Sequence, residues 1–316
     1  MELSIIIVSH NTRELLALSL DSLLTNLASS ALRYEVIVVD NASRDRTVEM
    51  VRERFPQVQL LANEENLGFA AANNQGLKIS KGDYLLLLNP DTLVRLPQGV
   101  PGRGGEALQL MLQFLVSHPR AGMVGPKLLY PDGRLQHSAF SFPTLPMIFL
   151  DFFPLNHHLI NSRLNGRYPR ALYEAGEPFP VDHPLGAAMM ARREAVDQVG
   201  PLDEGFFIYC EEIDWCMRMK KMGWEIFCLP QAEIVHYVGK STGQFRETMY
   251  VELHRSRYRL YEKHYGPAFR FMARLIVGLG VRREMLKARR EARKGRVTEG
   301  ELEKRLDAYQ RVLELS

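Results

Sequence analysis

The sequence predicts an α/β fold, a doubly wound and mostly parallel sheet followed by a C-terminal helical extension. Three observations carry that prediction. The run beginning at Tyr84, YLLLLNPDT, holds four consecutive leucines with no polar face and is too short for a helix, so it reads as a strand covered on both sides. Leu3 to Val8 (LSIIIV) and Tyr34 to Val39 (YEVIVV) repeat the pattern with β-branched residues. Between these runs lie stretches with helical apolar spacing, and such alternation builds a parallel sheet.

The first strand ends at Ser9-His10-Asn11-Thr12, residue types that cap helices, and Leu15, Leu16, Leu20, Leu23, Leu24 and Leu27 give the following helix its apolar face. Tyr34 to Val39 ends at Asp40-Asn41-Ala42-Ser43. Arg44 to Phe55 is the crossover helix, with Val48, Val51 and Phe55 toward the sheet, and Val58 to Ala62 a short strand. Asn66-Leu67-Gly68-Phe69 opens a helix over Ala70 to Ser80. The Tyr84 strand stops at Asn89-Pro90-Asp91, where proline withdraws a backbone donor.

Arg95 to Glu106 (RLPQGVPGRGGE) reads as a surface loop and Ala107 to His118 as an amphipathic helix. Lys127 to Ser138 reads as a hairpin turning at Pro131-Asp132-Gly133. Phe140 to Phe179 has no periodicity and is expected to be irregular. Gly186-Ala187-Ala188 before Met189 and Met190 suggests a strand that permits close approach. Ile213 to Met222 is an amphipathic helix stopped by Gly223, and Glu233 to Val238 a short strand. Glu247 to Tyr265 and Phe269 to Val281 are helical. Thr298-Glu299-Gly300-Glu301 is a capping box opening a last helix with a stripe of Leu302, Leu306, Tyr309 and Leu313.

At 316 residues, 46% hydrophobic and 24% charged, the chain has ample material for a large core. The formal charge is +3, but residues 282–296 carry eight Lys/Arg against two Glu, a local +6 that leaves the remainder near −3. Cys210, Cys216 and Cys228 form an odd set without CxxC spacing, which fits a reducing compartment and excludes a spaced zinc site. The sequence opens directly on a strand without a secretory leader, and no apolar run approaches the roughly 20 residues that span a bilayer.

Chemistry is expected at the strand ends. Ser9 and Asn11, Asp40 and Asn41, and Asn89 and Asp91 share one sheet edge, where open α/β sheets bind ligands. Asp and Asn also serve as ordinary turn residues, yet three such clusters on one edge favour a ligand. No GxGxxG follows the first strand and no GxxxxGK[ST] occurs, against a dinucleotide dehydrogenase or a P-loop NTPase. Asp40 suits a uridine- or thymidine-type base, and Asp91 a divalent cation on a diphosphate.

A second centre is FFIYCEEIDWCMR. Glu211, Glu212 and Asp214 crowd a helix start, as the helix dipole alone would favour. Apolar Phe206, Phe207, Ile208, Tyr209 and Trp215 would also raise one carboxyl pKa, as a general base requires. His236 is of metal-ligand type, or a structural histidine. Lys240, Ser241 and Thr242 stand where a phosphate or plain solvent would meet them.

The set SIIIVSHN, VIVVDNAS, ENLGFAAANNQG and YLLLLNPDT resembles the nucleotide-sugar half of the family-2 glycosyltransferases, inverting enzymes with the GT-A fold. The resemblance implies a catalytic domain over residues 1–245 (nucleotide-sugar half 1–94, acceptor half 107–245) and a helical region over 246–316. It implies a nucleotide site of Ser9, Asn11, Asp40, Asn41, Asn66, Gly68, Asn73 and Asn89. In the family's Asp-x-Asp motif the first position here is Asn89, so Asp91 alone carries the charge toward Mg2+ or Mn2+, and His236 completes the metal shell. The family's Glu-Asp motif implies Glu212 as catalytic base, with Glu211 and Asp214 as the other candidates and Arg218 beside them.

This variant is similar to a subgroup of bacterial rhamnosyltransferases. That implies a dTDP- or UDP-sugar donor, best dTDP-rhamnose, and a saccharide or polyprenol-linked acceptor, with a cytoplasmic location. A non-catalytic nucleotide-sugar binding protein is one alternative. A sugar-phosphate nucleotidyltransferase is another, though Ser9 to Arg13 lacks the glycine- and basic-rich loop it would need. For the basic C-terminal helices the sequence leaves an anionic membrane surface and packing on the catalytic domain or a second subunit both open. No reading motif for nucleic acid accompanies them.

Overall fold

Strand and helix alternate from the first residues of the computed structural model, which describes residues 1–28, 30–94, 106–154, 162–237 and 246–315. The first half runs β1 (Leu3–Ser9), α1 (Arg13–Ala28), β2 (Tyr34–Asp40), α2 (Thr47–Arg54), β3 (Gln59–Ala62), α3 (Phe69–Ile79) and β4 (Tyr84–Leu88). Next come β5 (Thr92–Leu93), α4 (Ala107–Ser117), β6 (Ala121–Leu129), β7 (Leu135–Gln136), β8 (Ala139–Phe140), α5 (Leu145–Phe152), a single 3-10 turn (Arg163–Asn165) and α6 (Arg170–Ala175). The remainder is β9 (Phe179–Pro180), β10 (His183–Pro184), β11 (Ala188–Arg192), α7 (Arg193–Val199), α8 (Glu211–Lys221), β12 (Glu225–His236), α9 (Arg246–His264), α10 (Pro267–Arg293) and α11 (Glu299–Glu314).

The main sheet has the order β3-β2-β1-β4-β11-β6-β12-β5, with β7 beside β6 and β9 beside β12. Its first half is parallel, and β11 enters antiparallel to both β4 and β6. All seven residues of β1 and Leu85 to Leu88 of β4 are buried, as their unbroken apolar runs require in a sheet covered on both faces. Leu16, Leu20, Leu23 and Leu27 of α1 and Leu108, Met111 and Leu115 of α4 join the same core. The chain divides into two compact units. One comprises Met1–Ser141, Arg170–Phe207 and Glu211–Ser241; the other comprises Phe142–Pro169, Ile208–Cys210 and Thr242–Ser316.

Two regions differ from the sequence expectation. The stretch expected to be irregular contains α5, where Thr144 accepts a hydrogen bond from the Met147 amide and Pro146 sits in the first turn. It also contains α6. The strand expected over Glu233 to Val238 is the far end of β12, which starts at Glu225 and runs parallel to β6. Pro230 lies in a register break between Leu229 and Glu233 that leaves residues 230–232 opposite no partner.

In the second unit, α5 groups with α9, α10 and α11. Arg257 of α9 pairs with Asp151 of α5 at 2.8 Å, and Gly280 of α10 lies so close to Phe152 that an added Cβ would stand 2.1 Å from the ring. The expected capping box is present: Thr298 Oγ1 accepts from the Glu301 amide, and Glu301 accepts from the Thr298 amide.

Candidate active site

The parallel register sets Ser9 opposite Asp40 at the carboxyl ends of β1 and β2. The next residue, Asn41, is buried and uses its whole amide. Its Nδ2 donates to Asn66 Oδ1 and the Gly68 carbonyl, and its Oδ1 accepts from the Leu67 amide and Asn63 Nδ2. Gly68 takes φ +86°, and a Cβ there would lie 2.5 Å from the Phe207 carbonyl oxygen. Only glycine lets this loop reach Phe207, whose carbonyl accepts from the Phe69 amide at 2.6 Å.

Other residues expected around a nucleotide also build these loops. Asn11, in the left-handed region at φ 53°, accepts from the Arg44 amide through Oδ1. Ser9 Oγ shares a hydrogen bond with Thr12 Oγ1, and Asn73 donates to the Phe69 carbonyl one turn back in α3. Asp40 is different. Its Oδ2 accepts from the Ser43 amide, but its Oδ1 is buried without a hydrogen-bond partner in a side chain 1% exposed. Such an acceptor costs about 1–3 kcal/mol until something donates to it.

At the opposite end of the sheet order, β5 pairs antiparallel with β12, matching Thr92 to His236, and the Tyr237 amide donates to the Asp91 carbonyl. This ladder brings His236 Nε2 to 3.4 Å from Asp91 Oδ1, both side chains buried. Behind the ring, Nδ1 meets the Gln136 amide at 3.0–3.2 Å. With the amide oxygen accepting from Nδ1–H, the lone pair of Nε2 faces Asp91, the orientation a metal-binding histidine needs. Asp91 Oδ1 has no hydrogen-bond partner. A buried imidazole nitrogen beside an orphaned carboxylate oxygen fits a divalent cation. Among the described residues no three His, Cys, Asp or Glu side chains gather around a metal position, and Asp91 and His236 are the two that face each other there.

Asn89 anchors the turn. Its amide donates to the Ala187 carbonyl, its carbonyl accepts from Thr92 Oγ1, and its Oδ1 is buried without a partner. On the same segment Gly186 borders α8, where an added Cβ would stand 3.6 Å from Glu212 Cγ. Gly186 and Ala187 thus link Glu212 to the Asn89–Asp91 turn.

Tyr209 and Cys210, with φ of 70° and 66°, precede α8 in the left-handed region, a local cost of order 1–3 kcal/mol each that fixes how the helix begins. Glu211 is 4% exposed, and burial together with the adjacent Glu212 charge holds its carboxyl well above the usual range. Asp214 stands apart from this group. Its carboxylate pairs with Arg218 Nε at 2.8 Å, and that guanidinium holds the carbonyls of Val199, Gly200 and Pro201. Lys240, Ser241 and Thr242 lie outside the described residues.

Gln136 escaped the sequence reading. Its partner is 100 residues away, and the hairpin carried no chemical motif.

The fold is that of the GT-A glycosyltransferases. A mannosyltransferase from Pyrobaculum calidifontis, solved in complex with GDP-Man and Mn2+, superposes with a TM-score of 0.57 at 16% identity over 99% of this chain and 87% of that one. The family model Glycosyl transferase family 2 matches residues 4–97. The N-acetylglucosaminyl-diphospho-decaprenol L-rhamnosyltransferase of Mycobacterium tuberculosis is 30% identical over 261 residues, covering 76% of this chain and 80% of the relative. Rhamnosyltransferase WbbL of Escherichia coli is 23% identical over 279 residues, covering 85% and 92%. The chain belongs to glycosyltransferase family 2, and it is a glycosyltransferase.

Proposed function

We propose that the protein transfers L-rhamnose from dTDP-rhamnose to a hydroxyl of a saccharide or polyprenol-linked acceptor, with inversion at the anomeric carbon and a divalent cation. The observation that carries this reading is the facing pair of Asp91 Oδ1 and His236 Nε2 at 3.4 Å, with Glu212 joined to the same turn through Gly186 and Ala187. The rhamnosyltransferase names of the two relatives support the sugar, and the polyprenyl-linked substrate in the mycobacterial name supports the acceptor.

Glu212 takes the proton from the acceptor hydroxyl. That oxygen forms its bond to the anomeric carbon as the bond to the diphosphate breaks, and the nucleoside diphosphate leaves with the electron pair. Burial and the adjacent Glu212 charge favour the neutral form of Glu211, which then adds no second charge beside the base. Asp40 Oδ1 is positioned to accept from the imide N–H of a thymine or uracil ring, in the role its missing partner leaves open. Asp91 and His236 are the residues that would hold Mg2+ or Mn2+, and the bound ion would neutralise charge on the departing diphosphate.

Glu212→Gln is expected to lower transfer by about 10²–10⁴-fold while leaving the manganese-dependent thermal shift by dTDP intact. Turnover within a few fold of the parent would remove Glu212 as the base. Asp91→Asn is expected to abolish the manganese dependence of that shift, and an unchanged dependence would dismiss the metal role.

A further inference from the structure

We propose that the outward face of α10 seats the protein on the surface of an anionic lipid bilayer. The inference rests on the second unit alone and holds whichever sugar is transferred.

The sequence of α10 divides by face. Ala273, Val277, Gly280, Val281 and Ala288 are buried, as is Gly278, where an added Cβ would stand 3.5 Å from Arg282 Nη1. On the opposite side, at spacings of three and four, come Phe271, Leu275, Leu279, Arg282, Leu286, Arg289, Arg290 and Arg293. Phe271 is 67% exposed, and Leu275, Leu279 and Leu286 are about half exposed. A row of large apolar side chains held in water needs a partner that removes it.

Charge says which partner. The two acids of α10, Glu284 and Glu291, point away from this row: Glu284 pairs with Arg283 and Lys287, and Glu291 with Arg305 of α11. Among the described residues Arg282, Arg289, Arg290 and Arg293 have no acidic partner within ion-pair distance. Leu279, Leu286, Arg282, Arg283, Lys287 and Arg290 line an open groove of about 390 Å3.

A second copy packed on this face would offer these arginines no acid, since the row itself carries none. A nucleic acid would leave Phe271, Leu275 and Leu279 in water. A bilayer rich in anionic headgroups takes both halves of the stripe at once, apolar side chains below the phosphates and guanidinium groups among them. Among the described residues no helix is long and apolar enough to cross a membrane, so α10 lies on the surface.

The test is co-sedimentation of the full chain with phosphatidylcholine vesicles and with vesicles that also contain phosphatidylglycerol. The parent is expected to bind the second and not the first, less so as salt is raised. Replacing Phe271, Leu275 and Leu279 by Gln is expected to weaken partitioning at least about tenfold. Replacing Arg282, Arg289, Arg290 and Arg293 by Gln is expected to weaken it by about fivefold per arginine. Thermal midpoints check that both variants fold, and because the two sets are separate, either one decides the matter alone. Four results would overturn the proposal: no binding to anionic vesicles, equal binding to both kinds, undiminished binding by a folded variant, or a lipid-free dimer that the apolar variant splits.

Discussion

Glu211 carries its carboxyl inside the protein, next to another acid. A carboxyl whose folded pKa is raised favours the folded state fully below its ordinary value near 4.5, and that contribution is lost as pH rises toward the folded pKa. Glu211→Gln keeps the shape and removes the ionisation. Its stability relative to the parent is therefore expected to grow as pH rises above about 4.5, measured by denaturant unfolding at increasing pH; a constant gap would mean the carboxyl is not buried neutral. At this scale the sequence revealed residue types well, because carboxylates at strand ends and at a helix start are visible in the chain. It did not reveal which oxygens stay orphaned. Asn41 and Asp40 are neighbours and look alike on paper, yet one is saturated by the 63–68 loop while the other keeps a bare acceptor.

Strands buried on both faces were legible to within a residue or two, since each is a short apolar run ended by Ser, Asp or Asn, shorter than the roughly ten residues a helix usually needs. Helices under tertiary control were less so. In α5 the signal was present as Thr144-Leu145-Pro146, but eight residues of mostly apolar chain show no periodicity to read. For β12, the sequence showed only the stretch after Glu233, and the start of the strand at Glu225 lies beyond a bulge at residues 230–232 that breaks the pattern. The contact of α10 with α5 gives a prediction of sign. Gly280→Ala gains about 1 kcal/mol of helix propensity, but the added methyl would stand 2.1 Å from Phe152. Overpacking of about 1–3 kcal/mol is expected to win, lowering the thermal midpoint, and a raised midpoint would mean α5 moves aside freely.

Across the whole molecule, each unit buries a neutral histidine. Burial pushes His183 down to about 4, and burial with the Arg257 charge pushes His254 down to about 3. A depressed folded pKa means stability that is present above the unfolded value of 6.5 and lost as pH falls. Each is expected to cost about 1.4 kcal/mol per pH unit below that value, and His254→Phe should flatten the curve measured by urea unfolding. The sequence places a boundary near residue 245, and in the second compact unit α5 is tied to α9 by the Arg257–Asp151 pair, a contact between residues 106 apart for which no local pattern exists to read.

The register break in β12 sets a length rule for the gene. Residues 230–232 are a spacer between two parallel stretches on β6, and side chains on a strand alternate sides at every step. Losing one codon there would carry His236 a step short of Thr92 and turn its ring toward the wrong face, in a protein otherwise folded. Changing the codon number at the Pro131–Gly133 turn would leave the β12 register alone and instead shift Gln136, the partner of His236 Nδ1, along β6.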